Sequence, residues 1–441
     1  MAYNESKVPT SRLTRFGKLA SLATRVTGAM VTEGAKQFAQ GKRPTKKDLL
    51  LTPNNVKRVA DQLAHLRGAA MKVGQLMSMD AGDLISPELA QILARLRSDG
   101  SPMPSKQLAN VMSQELGPDW KSHFIEFNFK PIASASIGQV HQAHSEEGTK
   151  LAIKVQYPGI KTSIDSDVDN VGTLLNVVGL IPKGVNFQGL LEEAKLQLHA
   201  EADYLLEASL LNRYRTHLDG SDDFILPMVI PDITTDSVLA MTYVSGDPIE
   251  SLINADQETR NRVVHLLLSL LFKEIFEFKL VQTDPNFANF LYNAAEKKVV
   301  LLDFGATRSY NEQISQGYQL AFSAILNDDN DALGLALTQI GFFNQDILPD
   351  QKAAIFDLVR LACEPLKQIG PYNFGSSNLA QRLSDAGTVL SMEKDYWHTP
   401  PADALFLHRK IGGLYLLAAR LNASVNVNQL FQPYQQNVVV N

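Results

Sequence analysis

Apolar positions recur along the chain with two different spacings. Short runs that are largely apolar predict strands near 124 and at 137–143, 151–156, 225–230 and 237–244. The second and third of these strands flank a turn candidate at 146–149, which predicts a β-hairpin. Longer stretches with apolar residues three or four positions apart predict helices at 11–40, 53–80, 87–97, 105–116, 163–180, 187–217 and 257–278, and from 311 to the end.

The order of these elements indicates the fold class. Helices come first, then strands, and then mostly helices, which is typical of an α+β protein whose small sheet-bearing lobe precedes a larger helical lobe. The Gly- and Pro-containing stretch at 100–104 separates the first helices from the rest. We therefore expect an N-terminal helical extension at 1–104, an N-lobe with a small antiparallel sheet at 105–244, and a helical C-lobe at 245–441.

Charge is distributed unevenly over this pattern. Residues 1–60 carry twelve Lys or Arg against three Asp or Glu, a net charge of +9, whereas the remainder carries 29 basic and 44 acidic residues. A basic amphiphilic segment of this kind predicts contact with an anionic membrane surface. The alternative is a solvated helix that packs on the protein's own acidic face.

Cysteine content and apolar run length bear on the compartment. Cys363 is the only cysteine, so an intrachain disulfide is impossible, which fits a reducing, cytoplasmic compartment. No apolar run reaches the roughly 18 residues needed to span a bilayer. Residues 6–30 are rich in Arg, Lys, Ser and Thr and contain no acid, so a mitochondrial-type transit peptide is an alternative.

One stretch near residue 284 carries the most specific chemistry. Asp284 precedes Asn289 by five positions, and a short apolar run then ends in Asp303-Phe304-Gly305. In kinase-type phosphoryl transfer, a catalytic-loop Asp handles the nucleophile, while an Asn five positions on and the Asp of Asp-Phe-Gly hold magnesium. The usual His-Arg before the catalytic Asp is absent, because Gln282 and Thr283 occupy those positions. The spacing therefore predicts ATP and Mg²⁺ as cofactors, with an altered catalytic loop.

Lys154 stands in a strand-like Leu-Ala-Ile-Lys-Val run, where kinases place a lysine that contacts the α- and β-phosphates. The alternative is an edge-strand lysine that points to solvent. A carboxylate on a following helix should hold the lysine. Asp203 and Glu207 share a helix face at i and i+4, and we select Glu207 as the partner.

Two further segments complete a kinase-like nucleotide site. Ala133, Ser134, Ala135 and Ser136 occupy the place of the glycine-rich loop that covers the phosphates. Because alanine resists positive φ, we expect this loop to be stiffer and to hold nucleotide differently. The strand-like run at 238–244 would be the hinge, where Met241 and Tyr243 would flank the adenine edge, although a plain buried strand is the alternative.

Taken together, five motifs resemble the UbiB (AarF/ADCK) family of atypical kinase-like proteins, closest to its coenzyme Q kinase-like branch. The resemblance extends over nearly the whole chain. The motifs are Lys72-Val73-Gly74-Gln75, the Ala-rich loop with 136–141, Glu201-Ala202-Asp203, Gln282-Thr283-Asp284-Pro285-Asn286 and Asp303-Phe304-Gly305-Ala306-Thr307-Arg308. Ser134 departs from the family pattern, in which alanine is usual.

The resemblance implies a protein-kinase-like two-lobed fold and specific residue roles. Lys72 and Gln75 would cover the region where a protein kinase binds its peptide, and Lys72 would pair with Glu201 or Asp203. Lys154, Asp284 and Asp303 would be catalytic. The residues at the nucleotide would be Lys154, Glu207, Ala133, Ser134, Ala135, Ser136, Met241, Tyr243, Asn289 and Asp303, of which Asn289 and Asp303 would bind the metal.

The resemblance also implies a place in isoprenoid-quinone biosynthesis. We expect an Mg²⁺-dependent ATPase or small-molecule kinase that contacts a membrane peripherally, without the paired apolar tail of bacterial UbiB proteins. An isoprenoid lipid or quinone-biosynthesis enzymes would be partners, and we expect no nucleic acid. A nucleotide-gated module that binds a lipid or a complex, with incidental turnover, is one alternative, and a protein kinase acting in trans is another.

Overall fold

The computed structural model describes residues 63, 66–80, 92, 102–177, 179–181, 187–343, 347–392 and 401–435. The helices expected at 11–40 and 87–97 lie outside these residues, apart from the single helical position Ile92, as does the basic segment 1–60. The chain divides into two compact units. Unit 1 comprises Met1–Asn212 and Met228–Tyr243, and unit 2 comprises Arg213–Pro227 and Val244–Asn441.

Helices occur in both units. Those of the described chain are α1 (Arg67–Asp80), α2 (Ser105–Leu116), α3 (Ile160–Val177), α4 (Phe187–Glu201), α5 (Tyr204–His217), α6 (Gln257–Lys273), α7 (Glu312–Leu326), α8 (Asn330–Ile340), α9 (Pro349–Ala362), α10 (Glu364–Lys367), α11 (Leu379–Met392), α12 (Ala402–Arg420) and α13 (Val427–Phe431).

Strands are short and also occur in both units. They are β1 (Phe124–Phe127), β2 (Ala133–Ser134), β3 (Gly138–Ser145), β4 (Lys150–Gln156), β5 (Phe224–Ile225), β6 (Val238–Thr242), β7 (Asp247–Pro248), β8 (Leu280–Gln282), β9 (Phe290–Asn293), β10 (Lys298–Leu301), β11 (Thr307–Ser309), β12 (Tyr372–Asn373) and β13 (Ser424–Val425).

Unit 1 is built on an antiparallel sheet with the order β1-β3-β4-β6, to which β2 adds by pairing with β3. The predicted hairpin is confirmed, because β3 and β4 pair from Gly138 opposite Gln156 to His144 opposite Lys150. Strand β4 has a neighbour on each side. Lys154 is therefore on a central strand, which rules out the edge-strand alternative.

The single helix expected at 187–217 is wrong, because two helices occupy that stretch. α4 ends at Glu201 and α5 begins at Tyr204. Asp203 stands between them, and its Oδ1 accepts a hydrogen bond from the N–H of Leu206 at 2.9 Å. An Asp that accepts from a nearby backbone N–H starts a new helix, because it satisfies a donor that has no partner within the first turn.

Unit 2 combines helices with short sheets, the largest of which has the order β5-β10-β9-β7. The strand expected at 225–230 is shorter than predicted, since only Phe224 and Ile225 belong to β5 and Val229 makes an isolated bridge. Pro227 offers no N–H to a ladder, which limits the strand. The helix expected at 257–278 is α-helical only to Lys273, and a π-helical turn covers Glu274–Phe278.

The expected divisions at 104 and 244 stay predictions. The compact units differ from them in two ways, since 1–104 belongs to the same unit as most of the expected N-lobe and 213–227 belongs to unit 2. Within the part of the chain that the structure describes, each helix is either too short or too polar to cross a bilayer.

Candidate active-site residues in each unit

In unit 1, the structure brings Lys154 and Glu207 together as the sequence predicted. Lys154 Nζ donates to both carboxylate oxygens of Glu207, at 2.9 and 2.8 Å. Lys154 is 8% exposed and Glu207 only 2%, so the carboxylate is not the solvated acid of an ordinary helix surface. The ammonium also lies 5.1 Å from the centre of the Tyr204 ring. Strand β4 and helix α5 thus present a desolvated, fixed cation, which suits binding of phosphate oxygens.

The Ala-rich segment forms the tip of the β2–β3 hairpin. Ala133 pairs with Val140 and Ser134 with Gln139, and the N–H of Ala135 donates to the carbonyl of Gly138 at 2.9 Å. Ala133 and Ser134 are exposed, whereas Ala135 and Ser136 are half-buried. Contact between the backbone N–H groups of this hairpin tip and phosphate stays a prediction.

A chain of polar contacts ties this hairpin tip to α1. Lys72, on α1, forms an ion pair with Glu201, and the hydroxyl of Ser136 donates to the same carboxylate. The resemblance left Glu201 and Asp203 open as partners of Lys72, and the structure selects Glu201. Gln75 lies on the same helix, one turn beyond Lys72, and is half-buried. Asp203 instead caps α5, as described above.

Glycines permit the close approaches in this region. A Cβ at Gly68 of α1 would lie 2.9 Å from the carbonyl oxygen of Ser136, so a side chain there would displace the hairpin tip. A Cβ at Gly138 would clash with the carbonyl oxygen of Val155 and lie 3.0 Å from the Tyr204 hydroxyl. The hairpin tip therefore packs on α1, β4 and α5 at distances that only glycine allows.

The expected hinge residues lie at the end of β6. Met241 is buried and pairs with Ala152 of β4. The N–H of Tyr243 donates to the carbonyl of Lys150 at 2.9 Å, and the Lys150 ammonium lies 3.8 Å from the centre of the Tyr243 ring. The other side of β6 is occupied by the 228–230 segment, because the N–H of Thr242 donates to the carbonyl of Met228 at 2.8 Å and the N–H of Ile230 donates to the carbonyl of Ala240 at 2.9 Å. Contact with adenine stays a prediction.

In unit 2, side-chain and backbone hydrogen bonds shape the catalytic-type loop. The N–H of Asn286 donates to Asp284 Oδ1 at 3.1 Å, and the N–H of Ala288 donates to Asn286 Oδ1 at 3.1 Å. Thr283 is tied to the segment after Asp-Phe-Gly, because its N–H and its hydroxyl both donate to the carbonyl of Ala306, at 3.2 and 2.6 Å. These bonds give Asp284 a defined position without the His-Arg pair.

Asn289 and Asp303 lie at the same end of the β9–β10 hairpin. Asn289 immediately precedes β9, and the N–H of Leu302 donates to its carbonyl at 3.1 Å, one residue before Asp303. Asp303 Oδ1 accepts from the N–H of Gly305 at 3.0 Å. Asn289 is 8% exposed, and its buried Nδ2 has no hydrogen-bond partner among the described residues. A buried N–H donor of this kind needs an acceptor such as a water or a ligand oxygen, whereas a metal would bind the amide oxygen instead.

Those two residues suit magnesium. Among the described residues, no group of three or more His, Cys, Asp or Glu side chains could hold a metal ion by itself. Mg²⁺ keeps several waters and is usually held by one or two protein oxygens together with substrate phosphates, rather than by a cage of side chains. An Asn amide oxygen and an Asp carboxylate fit that pattern.

Sequence reasoning missed a second buried Lys–Glu pair, which lies directly beneath the Asp284 loop. Lys410 of α12 is 3% exposed, and Glu274 is 1% exposed. Lys410 Nζ donates to the carbonyl of Gln282 at 2.7 Å and lies 3.2 Å from Glu274 Oε2. The hydroxyl of Tyr214 donates to Glu274 Oε1 at 2.8 Å. Burial raises the pKa of Glu274, and the Lys410 ammonium acts in the opposite direction.

Helix α12 touches both chemically important segments of unit 2. Asp403 accepts from Arg308 Nε at 3.0 Å, and the guanidinium lies 4.2 Å from the centre of the Phe406 ring. A Cβ at Gly413 would clash with Pro285, next to Asp284. Positions 403, 406, 410 and 413 are three, four and three residues apart, so they share one helix face. This spacing is the signal in the sequence from which the shared helix face could have been predicted.

Comparison with known proteins places these features in a family context. A model of the ABC1 atypical kinase-like domain matches residues 95–336. The chain is 37% identical over 430 residues to the mitochondrial atypical kinase COQ8 of Saccharomyces cerevisiae, covering 97% of this chain and 85% of that protein. It is 34% identical to mitochondrial atypical kinase COQ8B of Rattus norvegicus, covering 97% and 81%.

Another similar protein is the mitochondrial atypical kinase COQ8 of Schizosaccharomyces pombe, 35% identical over 431 residues that cover 97% of this chain and 70% of that protein. Among solved structures, the complex of Rv3197 with erythromycin from Mycobacterium tuberculosis matches with a TM-score of 0.60 and 24% identity. The match covers 85% of this chain and 95% of that one, and it supports the fold alone.

Proposed function

Because this chain belongs to the family of ABC1 atypical kinase-like proteins, we propose that it is a Mg²⁺-dependent ATPase or small-molecule kinase that serves isoprenoid-quinone biosynthesis. The family, the α+β kinase-like fold and the atypical kinase class predicted from the sequence are confirmed by the comparisons. The acceptor of the phosphoryl group, the magnesium requirement and the residue roles are parts of the proposal.

The observation that carries the proposal is the Lys154–Glu207 contact. A lysine on a central strand, held by a buried helix carboxylate, is the phosphate-contacting device of kinases. Lys154 would neutralise phosphate charge, Asp284 would orient the nucleophile, and Asn289 with Asp303 would hold magnesium. The metal would neutralise charge on the phosphate oxygens. These residues would act by positioning and by charge stabilisation rather than by covalent chemistry.

The test is ATP turnover by the purified protein, with Asp303→Asn compared with Asp385→Asn. Asp385 is an exposed residue on α11, and its carboxylate accepts a local hydrogen bond from Gln381 at 3.0 Å. We expect Asp303→Asn to lower kcat by at least about 100-fold and Asp385→Asn to leave it unchanged. Equal turnover by Asp303→Asn and the parent would refute the site assignment.

Magnesium dependence can be measured separately. Since Asn289 and Asp303 supply too few ligands for tight binding alone, we expect Mg²⁺ to bind strongly only when ADP or ATP is present. Calorimetric titration of Mg²⁺ with and without ADP measures this. Tight binding without nucleotide would contradict the assignment.

A second function, a nucleotide-gated binding module, is favoured by the Lys72–Glu201–Ser136 contacts. They connect the hairpin that would cover the phosphates to α1, so nucleotide could order α1 for another partner. Magnesium-dependent nucleotide binding with turnover no faster than that of Asp303→Asn would favour this module over an enzyme.

Two experiments address the biological context. Deleting the gene and profiling the isoprenoid quinones tests the pathway, and unchanged quinone pools would exclude it. For the membrane, the net charge of +9 at residues 1–60 supports peripheral contact with an anionic surface. Co-sedimentation with anionic vesicles but not with neutral ones is the expected result, and equal binding to both would contradict it.

A further inference from the structure

The face of α12 formed by Asp403, Phe406, Lys410 and Gly413 contacts both loops of unit 2 that carry the proposed catalytic residues. Lys410 donates to the carbonyl of Gln282, two residues before Asp284. Its Nζ also lies 5.7 Å from the centre of the Phe290 ring, and Phe290 follows Asn289. We propose that Lys410 is a positioning residue. It fixes the Asp284 loop by bonding to the backbone that precedes Asp284, in the place of the His-Arg pair of other kinases.

The hydrogen-bond geometry around Lys410 supports this role. An ammonium group has three N–H donors. Three groups lie around it: the Gln282 carbonyl at 2.7 Å, Gln282 Oε1 at 3.3 Å, and the Glu274 carboxylate at 3.2 Å. The shortest contact is to the backbone of the loop, not to the carboxylate. Glu274 therefore supplies the countercharge, and the carbonyl of Gln282 receives the shortest bond.

Glu274 is itself placed by an irregular helix. α6 changes from an α-helix to a π-helical turn at Glu274, and that turn leads into β8 through Lys279, whose φ is 50°. π-Helical turns are rare, and they are frequent at functional sites. The carboxylate also accepts from the Tyr214 hydroxyl, and the N–H of Gln282 lies 3.4 Å from Glu274 Oε1. Gln282 therefore contacts the Lys410–Glu274 pair through both its N–H and its carbonyl group.

The same helix face supports the segment after Asp-Phe-Gly. Asp403 accepts from Arg308 through its side chain, and its carbonyl accepts from the Tyr310 hydroxyl at 2.7 Å. The Asp284 loop and this segment are already joined by Thr283 and Ala306. One rigid helix therefore fixes both loops, and the relative position of Asp284 and Asp303 depends on it. Small displacements of catalytic groups cost large factors in rate.

Two neighbouring glycines of α12 provide a matched test. A Cβ at Gly413 would clash with Pro285, whereas a Cβ at Gly412 would meet nothing within 4 Å among the described residues. Both substitutions by alanine favour the helix itself. We expect Gly413→Ala to lower kcat by at least about tenfold while the KM for ATP changes by less than about threefold. Gly412→Ala should leave both unchanged.

A second pair of variants removes the lysine without leaving a buried charge. Lys410→Met combined with Glu274→Gln neutralises the pair, which commonly preserves folding. The control is Arg382→Met combined with Glu364→Gln, a pair whose other bonds go to Tyr372 and Ser377 rather than to either loop. We expect the first double variant alone to lower kcat, again without a matching change in KM.

The inference rests on the proposed function for its kinetic result, but amide hydrogen exchange tests it independently. We expect exchange in the 282–289 segment to be at least about tenfold faster in Gly413→Ala than in Gly412→Ala. If the parent protein does not turn over ATP, the proposed function fails, and the exchange comparison still decides the positioning role. If the Lys410→Met/Glu274→Gln variant matches its Arg382→Met/Glu364→Gln control in kcat and in exchange of the 282–289 segment, the positioning role of Lys410 is refuted while the proposed function stands.

Discussion

The two units each contain a buried Lys–Glu pair, and the two pairs are built differently. In unit 1, Lys154 gives two bonds of 2.9 and 2.8 Å to one carboxylate. In unit 2, Lys410 gives its shortest bond, 2.7 Å, to a backbone carbonyl and lies farther from Glu274, at 3.2 Å. In the two proposals above, the first arrangement holds a cation for a ligand, whereas the second uses a cation to hold the chain.

This difference shows that burial of an ion pair does not by itself define the pair's role. The desolvation cost of burying two charges can equal or exceed their mutual attraction, so burial of a pair is weak evidence that it stabilises the fold. What distinguishes them is the third partner, which is a proposed phosphate for Lys154 and the carbonyl of Gln282 for Lys410. Variants that remove one lysine at a time should therefore affect different properties of the protein.

The largest expected effect is the loss of stability in Lys410→Met. The substitution leaves Glu274 buried without a countercharge, so we expect the free energy of unfolding to fall by about 3–5 kcal/mol. Urea denaturation followed by circular dichroism measures it. Adding Glu274→Gln should return most of the loss. A loss below about 1 kcal/mol would show that the pair is not desolvated as its burial indicates.

The next effect concerns Lys154→Met, which we expect to act mainly on turnover. The value of kcat/KM for ATP should fall at least about 100-fold, which corresponds to about 2.7 kcal/mol. Because the Lys154 side chain is 10% exposed and that of Lys410 only 3%, its stability loss should be the smaller one.

The control for Lys154 is Lys161→Met, which removes an exposed ion pair with Asp236 in the same unit. Exposed pairs contribute about 0–1 kcal/mol, so neither stability nor turnover should change appreciably. Equal losses of stability and of activity in Lys154→Met and Lys410→Met would contradict the different roles of the two pairs.

Acid should weaken unit 2 through His408 of α12. Burial lowers the pKa of His408 to about 4, and its Nε2 shares a hydrogen bond of 2.9 Å with the Tyr318 hydroxyl. The unfolded chain takes up this proton near pH 6.5, so stability that is complete above that pH is lost as the pH falls toward 4. We expect His408 to account for about 2–3 kcal/mol of that loss.

The matched variants for this pH dependence are His408→Gln and His199→Gln. His199 is exposed, in unit 1. Urea midpoints measured from pH 7 to pH 4 should show a flatter profile for His408→Gln only. Identical profiles for the parent and His408→Gln would contradict the assignment. In unit 1, burial also lowers the pKa of His141, so some acid sensitivity should persist in His408→Gln.

The smallest expected effect is a gain. Gly412→Ala should stabilise the protein by about 0.5–1 kcal/mol, because alanine is the better helix former and a Cβ at this position meets no described atom within 4 Å. The measurement is the urea midpoint at constant slope. A loss of stability would mean that this face of α12 is covered.

The sequence predicted features whose signals are local. The Leu-Ala-Ile-Lys-Val run placed Lys154 on a strand, the spacing of Asp284, Asn289 and Asp303 placed three residues in one unit, and the helix at 105–116 was predicted with its observed ends. Glu207 was selected because a helix carboxylate was required nearby. Each of these depended on neighbours in the chain or on a known spacing.

The features that were missed depend on distant partners. Lys410 and Glu274 stand 136 positions apart, and no local pattern links a lysine in an amphipathic helix to a glutamate in an apolar one. The break between α4 and α5 was also missed, because the apolar spacing continues across Asp203 while its side chain caps the second helix. A capping side chain changes helix stability by a few tenths to about 2 kcal/mol, and the spacing of apolar residues carries no information about that contribution.

That break has a thermodynamic consequence. Glu201 ends one helix and holds Lys72 of α1, whereas Glu207 lies in the next helix and holds Lys154. Two residues of connector thus separate the helix that anchors α1 from the helix that anchors the proposed phosphate-binding lysine. If docking of α1 changes the affinity for nucleotide by some factor, nucleotide binding changes the equilibrium constant for docking of α1 by the same factor. Linkage between two equilibria is reciprocal.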